Sequence, residues 1–161
     1  MGEFSSHTSQ ELLSIHGRIS EELRERGVTR SSNNPTGDLA EYFFCKAFGW
    51  KQLPNSNSNI DATDERGARF QIKGRRMTRH NESRQLSAIR DLSGEHFDFI
   101  AAVLFLEDYR ILRAGIIPYQ IVLDRSTFVS RTNSHKFILS DEIWGIPGVR
   151  DVTGDLCAVI L

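Results

Sequence analysis

Long apolar segments and paired cysteines are both scarce in this chain. It has 161 residues with only 2 cysteines, and no stretch is apolar over the length that a membrane-spanning helix needs. Cys45 and Cys157 both lie among apolar residues, so we expect buried free thiols in a reducing compartment rather than a disulfide framework. The polar start, Met1 to Gln10, is not typical of a signal peptide. These features predict a cytoplasmic protein that does not bind a membrane.

The chain also lacks a net positive charge and a zinc-binding pattern of histidines and cysteines. The net charge of −1 argues against a protein that coats nucleic acid non-specifically, because such proteins usually carry a large positive charge. No group of histidines and cysteines has the spacing of a zinc site. With 39% hydrophobic and 25% charged residues, the composition is ordinary for a single α/β domain.

Positive charge is nevertheless concentrated in one segment. Between residues 69 and 90 the chain carries Arg69, Lys73, Arg75, Arg76, Arg79, Arg84 and Arg90, against Glu82 as the acidic residue. Backbone phosphates are the natural partner of such a patch, so Arg75, Arg76, Arg79 and Arg84 are candidate nucleic-acid contacts. Arg30 and Asn57, in the polar loops around 29–35 and 55–59, are two more. The alternatives are a solvated arginine-rich loop and a flexible connecting loop.

Two short segments alternate apolar with polar residues, as half-buried strands do. Residues 59–63 and 69–73 have this pattern, and a turn separates them. A three-residue loop closed by Gly67 with a positive φ would set Asp61 opposite Gln71. A slip of one residue would move these side chains to opposite faces.

The polar face of this hairpin carries a specific chemistry. Asp61, Gln71 and Lys73 would share that face and point away from the core. An acid, a second oxygen ligand and a lysine on adjacent strands can hold a magnesium ion beside a phosphodiester and activate water against it.

A helix precedes the hairpin. Thr36 is expected to be its N-cap, and Gly49, after Phe48, its C-terminal cap. Glu41 falls at the border of the apolar stripe. Its carboxylate can therefore reach into a cleft between helix and sheet; the alternative is an ordinary flanking residue.

Further elements are predicted on either side. Thr8 to Arg26 should form an amphipathic helix with a capping box, packing on the core or on a second subunit. Residues 97–106 and 109–117 should form two buried strands, followed by a short helix at 119–124.

Three segments together resemble a known family. They are 37–41 (GDLAE), 59–61 (NID) and 70–74 (FQIKG), and they are similar to the PD-(D/E)XK nuclease superfamily, which includes restriction endonucleases. The resemblance covers about residues 33 to 76. It implies an α/β fold with a restriction-endonuclease-like mixed central sheet, of about four or five strands, flanked by helices.

The resemblance also implies roles for individual residues. Asp61 would be the central metal ligand, Gln71 would take the second acidic position, and Ile72 would offer its backbone carbonyl. Lys73 would position or activate the attacking water, and Glu41 would support the site through metal or water. Gln71 departs from the family's usual Asp or Glu, and the proline that names the motif is absent.

The function implied is a divalent-metal-dependent DNA endonuclease, of the restriction type or a related one. It would use Mg²⁺ or Mn²⁺ and act as a homodimer. The chain would be one nuclease-like domain, with an N-terminal helical segment at 1–30, a catalytic core at 33–125 and a C-terminal extension at 126–161. One alternative is a nucleic-acid-binding or protein-interaction module of the same fold with weak or no catalysis, which the neutral Gln71 keeps open. The other is cleavage of RNA.

Overall fold

The protein is a mixed α/β structure, here described from a computed structural model. The structure describes residues 2–57 and 59–161. Met1 of the polar start and Ser58 of the polar loop at 55–59 lie outside the described residues. Within them, the chain forms a mixed sheet of six strands, a small antiparallel sheet of three strands and four α-helices.

The elements follow one another in an irregular order. The helices are α1 (Ser9–Glu25), α2 (Thr36–Phe48), α3 (Tyr119–Arg125) and α4 (Thr153–Cys157). The strands are β1 (Lys51–Gln52), β2 (Ala62–Thr63), β3 (Arg69–Arg76), β4 (Ile89–Arg90), β5 (Phe99–Phe105), β6 (Ile111–Pro118), β7 (Thr127–Val129), β8 (Ser134–Lys136) and β9 (Arg150–Asp151). The main sheet has the order β1-β2-β3-β5-β6-β9, in which β3 and β5 are parallel and the other pairs antiparallel. The small sheet has the order β4-β8-β7.

Both faces of the main sheet are covered. On one face, α2 packs its stripe of Leu39, Ala40, Phe43 and Phe44 against apolar residues of β3, β5 and β6. On the other face lies a second cluster, made of Leu86, Ile89, Leu92, Phe97, Ile100, Ala102, Leu104, Ile117, Val122, Phe137, Leu139 and Ile143. Because neither face is open to water, the central strands read as continuous apolar runs.

Several predicted elements are confirmed. The runs at 97–106 and 109–117 are the buried strands β5 and β6, and the short helix after them is α3. Thr8 is the N-cap of α1 and forms the expected capping box with Glu11. Gly49 is the C-cap of α2, with φ of 65°. These elements carry strong local signals, so the sequence locates them.

Other predictions were wrong in detail. Thr36 is not the N-cap of α2: Pro35 precedes the helix, and the Thr36 N–H donates to Asn34 Oδ1 at 3.0 Å. The sheet has six strands rather than four or five, because β1 and β9 are two residues long and too short to give a period. Both cysteines are free, but Cys157 is exposed rather than buried.

The C-terminal third contributes to both sheets. Residues 126–161, predicted to be an extension, supply β7 and β8 to the small sheet and β9 to the edge of the main sheet. Val152 and Leu156 also join the cluster beneath α2. Within residues 2–57 and 59–161, no helix combines the length and the apolar character needed to cross a bilayer.

Candidate active site

The hairpin has the predicted register. Ala62 pairs with Phe70 and Thr63 with Arg69, as that register requires, and Asp61 is the residue just before these pairs. The Asp61 N–H donates to the Phe70 carbonyl at 2.8 Å. Gly67 has φ of 82°, as the three-residue loop requires. The regular part of β2 is shorter than predicted, so Asp61 lies just before the strand rather than inside it.

The Asp61 carboxylate is fixed against the backbone of β3. Its Oδ2 accepts a hydrogen bond from the Ile72 N–H at 2.6 Å. In an extended strand, the N–H and C=O of one residue point to the same side. The Ile72 carbonyl therefore lies on the same side of β3 as its N–H, away from β5.

Gln71 is buried, which the alternation alone does not predict. It is 4% exposed, because its face of β3 is the face covered by the second cluster. Ile100 is its neighbour on β5. Within the described residues, Gln71 Oε1 is buried and has no hydrogen-bond partner. A buried amide oxygen without a partner costs about 1–3 kcal/mol, and the described protein atoms leave this oxygen unpaired.

Lys73 lies two residues further along the same face. Its Nζ donates to the Ala88 carbonyl at 3.4 Å, which tethers it to the segment before β4. Burial lowers the pKa of Lys73, and the charge of Asp61 acts in the opposite direction.

Burial also shifts the pKa of Asp61. It raises the pKa of the Asp61 carboxyl to about 6; the Ile72 N–H opposes this shift, and the charge of Glu41 adds to it. A nearby cation would lower the pKa of this carboxyl again and favour its ionised form. Carboxyl groups with a pKa shifted in this way are typical of functional sites.

Glu41 lines the same cleft, but its carboxylate is already engaged. It forms an ion pair with Arg30 and accepts a hydrogen bond from Gln52 Nε2 at 2.8 Å. Asp38 holds the Arg30 loop in place, since its Oδ2 accepts from the N–H groups of Arg30 and Ser31, both at 2.8 Å. Arg30 was predicted to contact phosphate. In the structure its guanidinium binds Glu41 and the Leu53 carbonyl.

The four predicted catalytic residues meet in one cleft of about 480 Å³. Its walls are Asn34, Thr36, Gly37, Glu41, Asp61, Gln71, Ile72, Lys73, Gly74, Arg75, Arg76 and Ser87. The N-terminal half of α2 forms one wall, the edge of β3 the floor, and the segment before β4 the other wall.

The residues predicted to contact nucleic acid lie in different places around the cleft. Arg75 and Arg76 line the cleft, whereas Arg79 and Arg84 line a neighbouring depression of about 350 Å³ beyond the end of β3. Asn57 is exposed in the loop before Asp61 and is not among the described residues that line either cavity.

The donor set suits a hard divalent cation. Among residues 2–57 and 59–161, no three or more His, Cys, Asp or Glu side chains gather as a metal cluster. The oxygens available are the Asp61 carboxylate, the Gln71 amide and the Ile72 carbonyl, which are ligands that Mg²⁺ and Mn²⁺ accept. The unpartnered Gln71 Oε1 is the observation that fits these residues to such an ion.

Sequence reasoning did not predict that Gln52 and Arg30 hold Glu41. Neither contact has a local signal, because each joins Glu41 of α2 to a residue eleven positions away that lies outside the helix. Ala88 acts through its carbonyl, which no side-chain pattern reveals.

No family model matches this chain, and a search of curated proteins finds no match either.

Proposed function

We propose that this protein is a divalent-metal-dependent endonuclease that hydrolyses phosphodiester bonds of DNA. The observation that carries the proposal is the buried, unpartnered Gln71 Oε1, on a residue that lines one cleft together with Asp61 and Lys73. The resemblance of 37–41, 59–61 and 70–74 to PD-(D/E)XK nucleases supports it. The six-stranded mixed sheet would then be a member of the restriction-endonuclease-like folds.

Asp61, Gln71 and the Ile72 carbonyl would hold the Mg²⁺ or Mn²⁺ ion. When bound, such an ion offsets phosphate charge and lowers the pKa of a coordinated water. The remaining tasks belong to the chain. The Lys73 ammonium, tethered to Ala88, faces the cleft and would stabilise the negative charge that develops on the phosphate. Glu41 is held by Arg30 and Gln52 in the cleft wall, where it would orient the site.

Arginines at the mouth would bind the DNA backbone. Arg75 is held by the Ser83 carbonyl at 2.8 Å, and the Arg76 guanidinium lies 4.4 Å from the Tyr109 ring centroid. Guanidinium groups fixed in this way lose little entropy on binding a phosphate. Arg79 would extend the contact along the DNA strand. Arg84 would do so by exchanging its exposed ion pair with Asp141 for a phosphate.

A second candidate function is a DNA-binding module of the same fold with weak or no catalysis. Two observations favour it: Gln71 carries no charge, and the charge of Glu41 is offset by Arg30. Metal affinity falls when anionic ligands are lost, so such a module would bind DNA through its arginines without cleaving it.

The test is incubation of supercoiled plasmid and linear duplex DNA with the purified protein, with Mg²⁺, with Mn²⁺ or with chelator. Wild-type protein should nick or cut in metal, and Lys73→Ala and Asp61→Ala should lose this activity while remaining folded. Lys46→Ala is the matched control, because Lys46 is an exposed lysine on α2 and does not line the cleft.

Each outcome separates the two functions. Metal-dependent cleavage that is lost in Lys73→Ala and kept in Lys46→Ala supports the endonuclease, and discrete fragments support sequence-specific restriction. DNA retained in a gel shift without cleavage supports the binding module. Equal activity in both lysine variants would contradict the assigned site.

A further inference from the structure

A second cavity opens beside the cleft. We call it the side cavity; it is bounded by residues 16–23 of α1, residues 29–35 and the pair Arg76 and Tyr109, and its volume is about 660 Å³. Pockets that hold small ligands measure roughly 300–1,000 Å³. Asn34 and Arg76 line both the side cavity and the cleft, so a molecule bound in the cleft can extend into the side cavity.

One part of the side cavity is a guanidinium held against an aromatic ring. The Arg76 guanidinium lies 4.4 Å from the Tyr109 ring centroid. Its Nε and Nη2 both donate to the Glu107 carbonyl, at 2.8 Å and 2.5 Å. These contacts hold the guanidinium in one plane. A guanidinium plane or an aromatic ring fixed in this way is a surface on which a nucleobase stacks.

Tyr109 occupies its position with a strained backbone. Its φ is 64°, in the left-handed region that bulky residues rarely adopt and that favours glycine or asparagine in such a turn. Strained residues of this kind cluster at ligand-binding sites. The strain is in keeping with a residue retained for its ring.

The loop at 29–35 brings polar groups that the protein leaves unpaired. Thr29 lines the side cavity and is only 5% exposed, yet its hydroxyl makes no hydrogen bond within residues 2–57 and 59–161. Asn34 Oδ1 accepts from the Thr36 N–H and hydroxyl, and the Asn34 amide nitrogen has no partner in the same part of the chain. Buried polar groups are normally paired, and a hydroxyl and an amide can pair with the edge of a base.

The charge around the side cavity also restricts its ligand. Among the described residues, no Asp or Glu lines it, so a cationic ligand would find no opposite charge there. A nucleobase is planar and neutral, with donors and acceptors along its edge. The phosphate attached to it can lie in the cleft, beside Arg75 and Arg76.

We infer that the side cavity binds one nucleobase of the DNA, turned out of the helical stack, while the neighbouring phosphate lies in the cleft. The inference rests on the proposed function, because the bound DNA brings the base to the side cavity. The base stacks on the Arg76 guanidinium, and its edge pairs with Thr29 and Asn34. A base must leave the duplex to enter such a pocket, so this contact adds a preference for certain bases at one position.

The first experiment uses a duplex that the wild type cleaves, with 2-aminopurine placed at one position at a time. This base fluoresces weakly inside the stack and strongly outside it. Lys73→Ala protein in Mg²⁺ should bind the duplex without cutting it. One position should then show a severalfold rise in fluorescence, and the positions on either side of it should show none.

A substitution that fills the side cavity tests where the base goes. Ser20→Phe places a ring in the cavity from α1, and Ser14→Phe is the matched control, because Ser14 is exposed on the same helix and does not line the cavity. In the Lys73→Ala background, Ser20→Phe should abolish the rise in fluorescence and weaken DNA binding about tenfold, as the loss of one stacked base requires. Ser14→Phe should change neither.

Thr29→Val distinguishes a ligand contact from a structural one. The hydroxyl pairs with nothing in the described protein, so its removal should not lower the urea midpoint of unfolding. DNA affinity should nevertheless fall about threefold to tenfold, because one hydrogen bond to the base is lost. A lower midpoint with unchanged DNA affinity would contradict the role assigned to Thr29.

A free nucleotide is the other source of the same base, and calorimetry with deoxynucleoside monophosphates at millimolar concentration tests it. Nucleotide binding that Ser20→Phe removes, without a rise in fluorescence at any position of the duplex, would assign the side cavity to a free nucleotide and overturn the inference.

Failure of the inference differs from failure of the proposed function. If the wild type cuts DNA but no position shows the rise, or if Ser20→Phe and Ser14→Phe abolish it equally, the side cavity does not bind a base and the endonuclease stands. If the wild type neither binds nor cuts DNA, both proposals fall.

Discussion

Asp61 and Gln71 are polar side chains that the fold buries at a cost in stability. The Asp61 carboxyl has a raised pKa because it is desolvated, and Gln71 Oε1 has no partner within the described residues. Proteins retain such destabilising groups at sites where a bound ligand stabilises them. Both residues should therefore behave differently with and without metal.

Asp61→Asn should stabilise the metal-free protein at neutral pH. Folding raises the pKa of Asp61 from 3.8 to about 6, so the folded state holds this proton more tightly than the unfolded chain. Stability is therefore lost as the pH rises through this window, and the wild type stays less stable above it. Asparagine removes the loss, and the variant should gain about 1–3 kcal/mol at pH 8.

The measurement is urea unfolding of both proteins at pH 3 and pH 8 in chelator. The gain should shrink towards zero at pH 3, where the carboxyl is protonated in both states. A variant that is less stable than wild type at pH 8 would contradict the burial assigned to Asp61.

Gln71→Glu should show separately how a buried charge at this position affects stability and how it affects metal binding. In chelator, a second carboxylate beside Asp61 should lower the unfolding free energy by about 2–4 kcal/mol. With Mg²⁺ or Mn²⁺ the loss should be recovered, and calorimetry should show metal binding about tenfold tighter than in wild type.

Gln71→Leu is the control for this pair of measurements. It removes the unpartnered oxygen, so it should not lower stability in chelator, and metal should no longer raise the unfolding temperature. Metal affinity that is unchanged in both variants would exclude Gln71 as a ligand.

At the scale of elements, the cleft depends on how closely α2 approaches β3. A Cβ at Gly74 would lie 2.7 Å from the Thr36 carbonyl oxygen and 3.0 Å from the Ala40 Cβ. Glycine is needed here for space rather than for a positive φ, because backbone and helix meet at this point. The distance between α2 and β3 fixes where Glu41 stands relative to Asp61.

Gly74→Ala should therefore push α2 away from β3. The expected loss of stability is about 1–3 kcal/mol, measured by urea unfolding, and cleavage should fall even where the variant is fully folded. Gly17→Ala is the control, because nothing lies within 4 Å of its Cβ position on α1; it should raise stability by up to about 1 kcal/mol. Equal stability of Gly74→Ala and wild type would contradict this packing.

For the whole molecule, positive charge is concentrated in one region although the net charge is small. The net charge is −1, yet the cleft and the adjacent depression hold Arg75, Arg76, Arg79 and Arg84. Non-specific attraction to DNA should be weak, and binding should depend on these few phosphate contacts.

DNA affinity should fall with salt at a slope of log K against log salt of about −3 to −4, as four phosphate contacts require. Arg75→Ala should reduce the slope by about 1, measured by fluorescence anisotropy of a labelled duplex. Arg125→Ala, on α3 and outside both cavities, should leave the slope unchanged. A slope that does not respond to Arg75→Ala would place the DNA elsewhere.

The sequence by itself determined the features that depend on neighbours in the chain. Gly67 and the loop length set Ala62 opposite Phe70, since turn geometry fixes hairpin register. The stripe through Phe43 and Phe44 located α2, and Thr8 with Glu11 located the start of α1. Each of these signals repeats within a few residues, so no distant contact was needed to read it.

Only the tertiary structure decided what covers each face and which groups meet. Alternation places Gln71 and Lys73 on one face of β3 but does not show that apolar residues between Leu86 and Ile143 cover that face. Charge alone suggests that Arg30 binds phosphate, whereas the fold pairs it with Glu41. The amphipathic pattern of α1 predicts a helix that packs on the core or on a second subunit; among the described residues, the fold brings its Leu23 against the core. Local periodicity fixes the direction of a side chain; its surroundings depend on segments far away in the sequence, which only folding brings together.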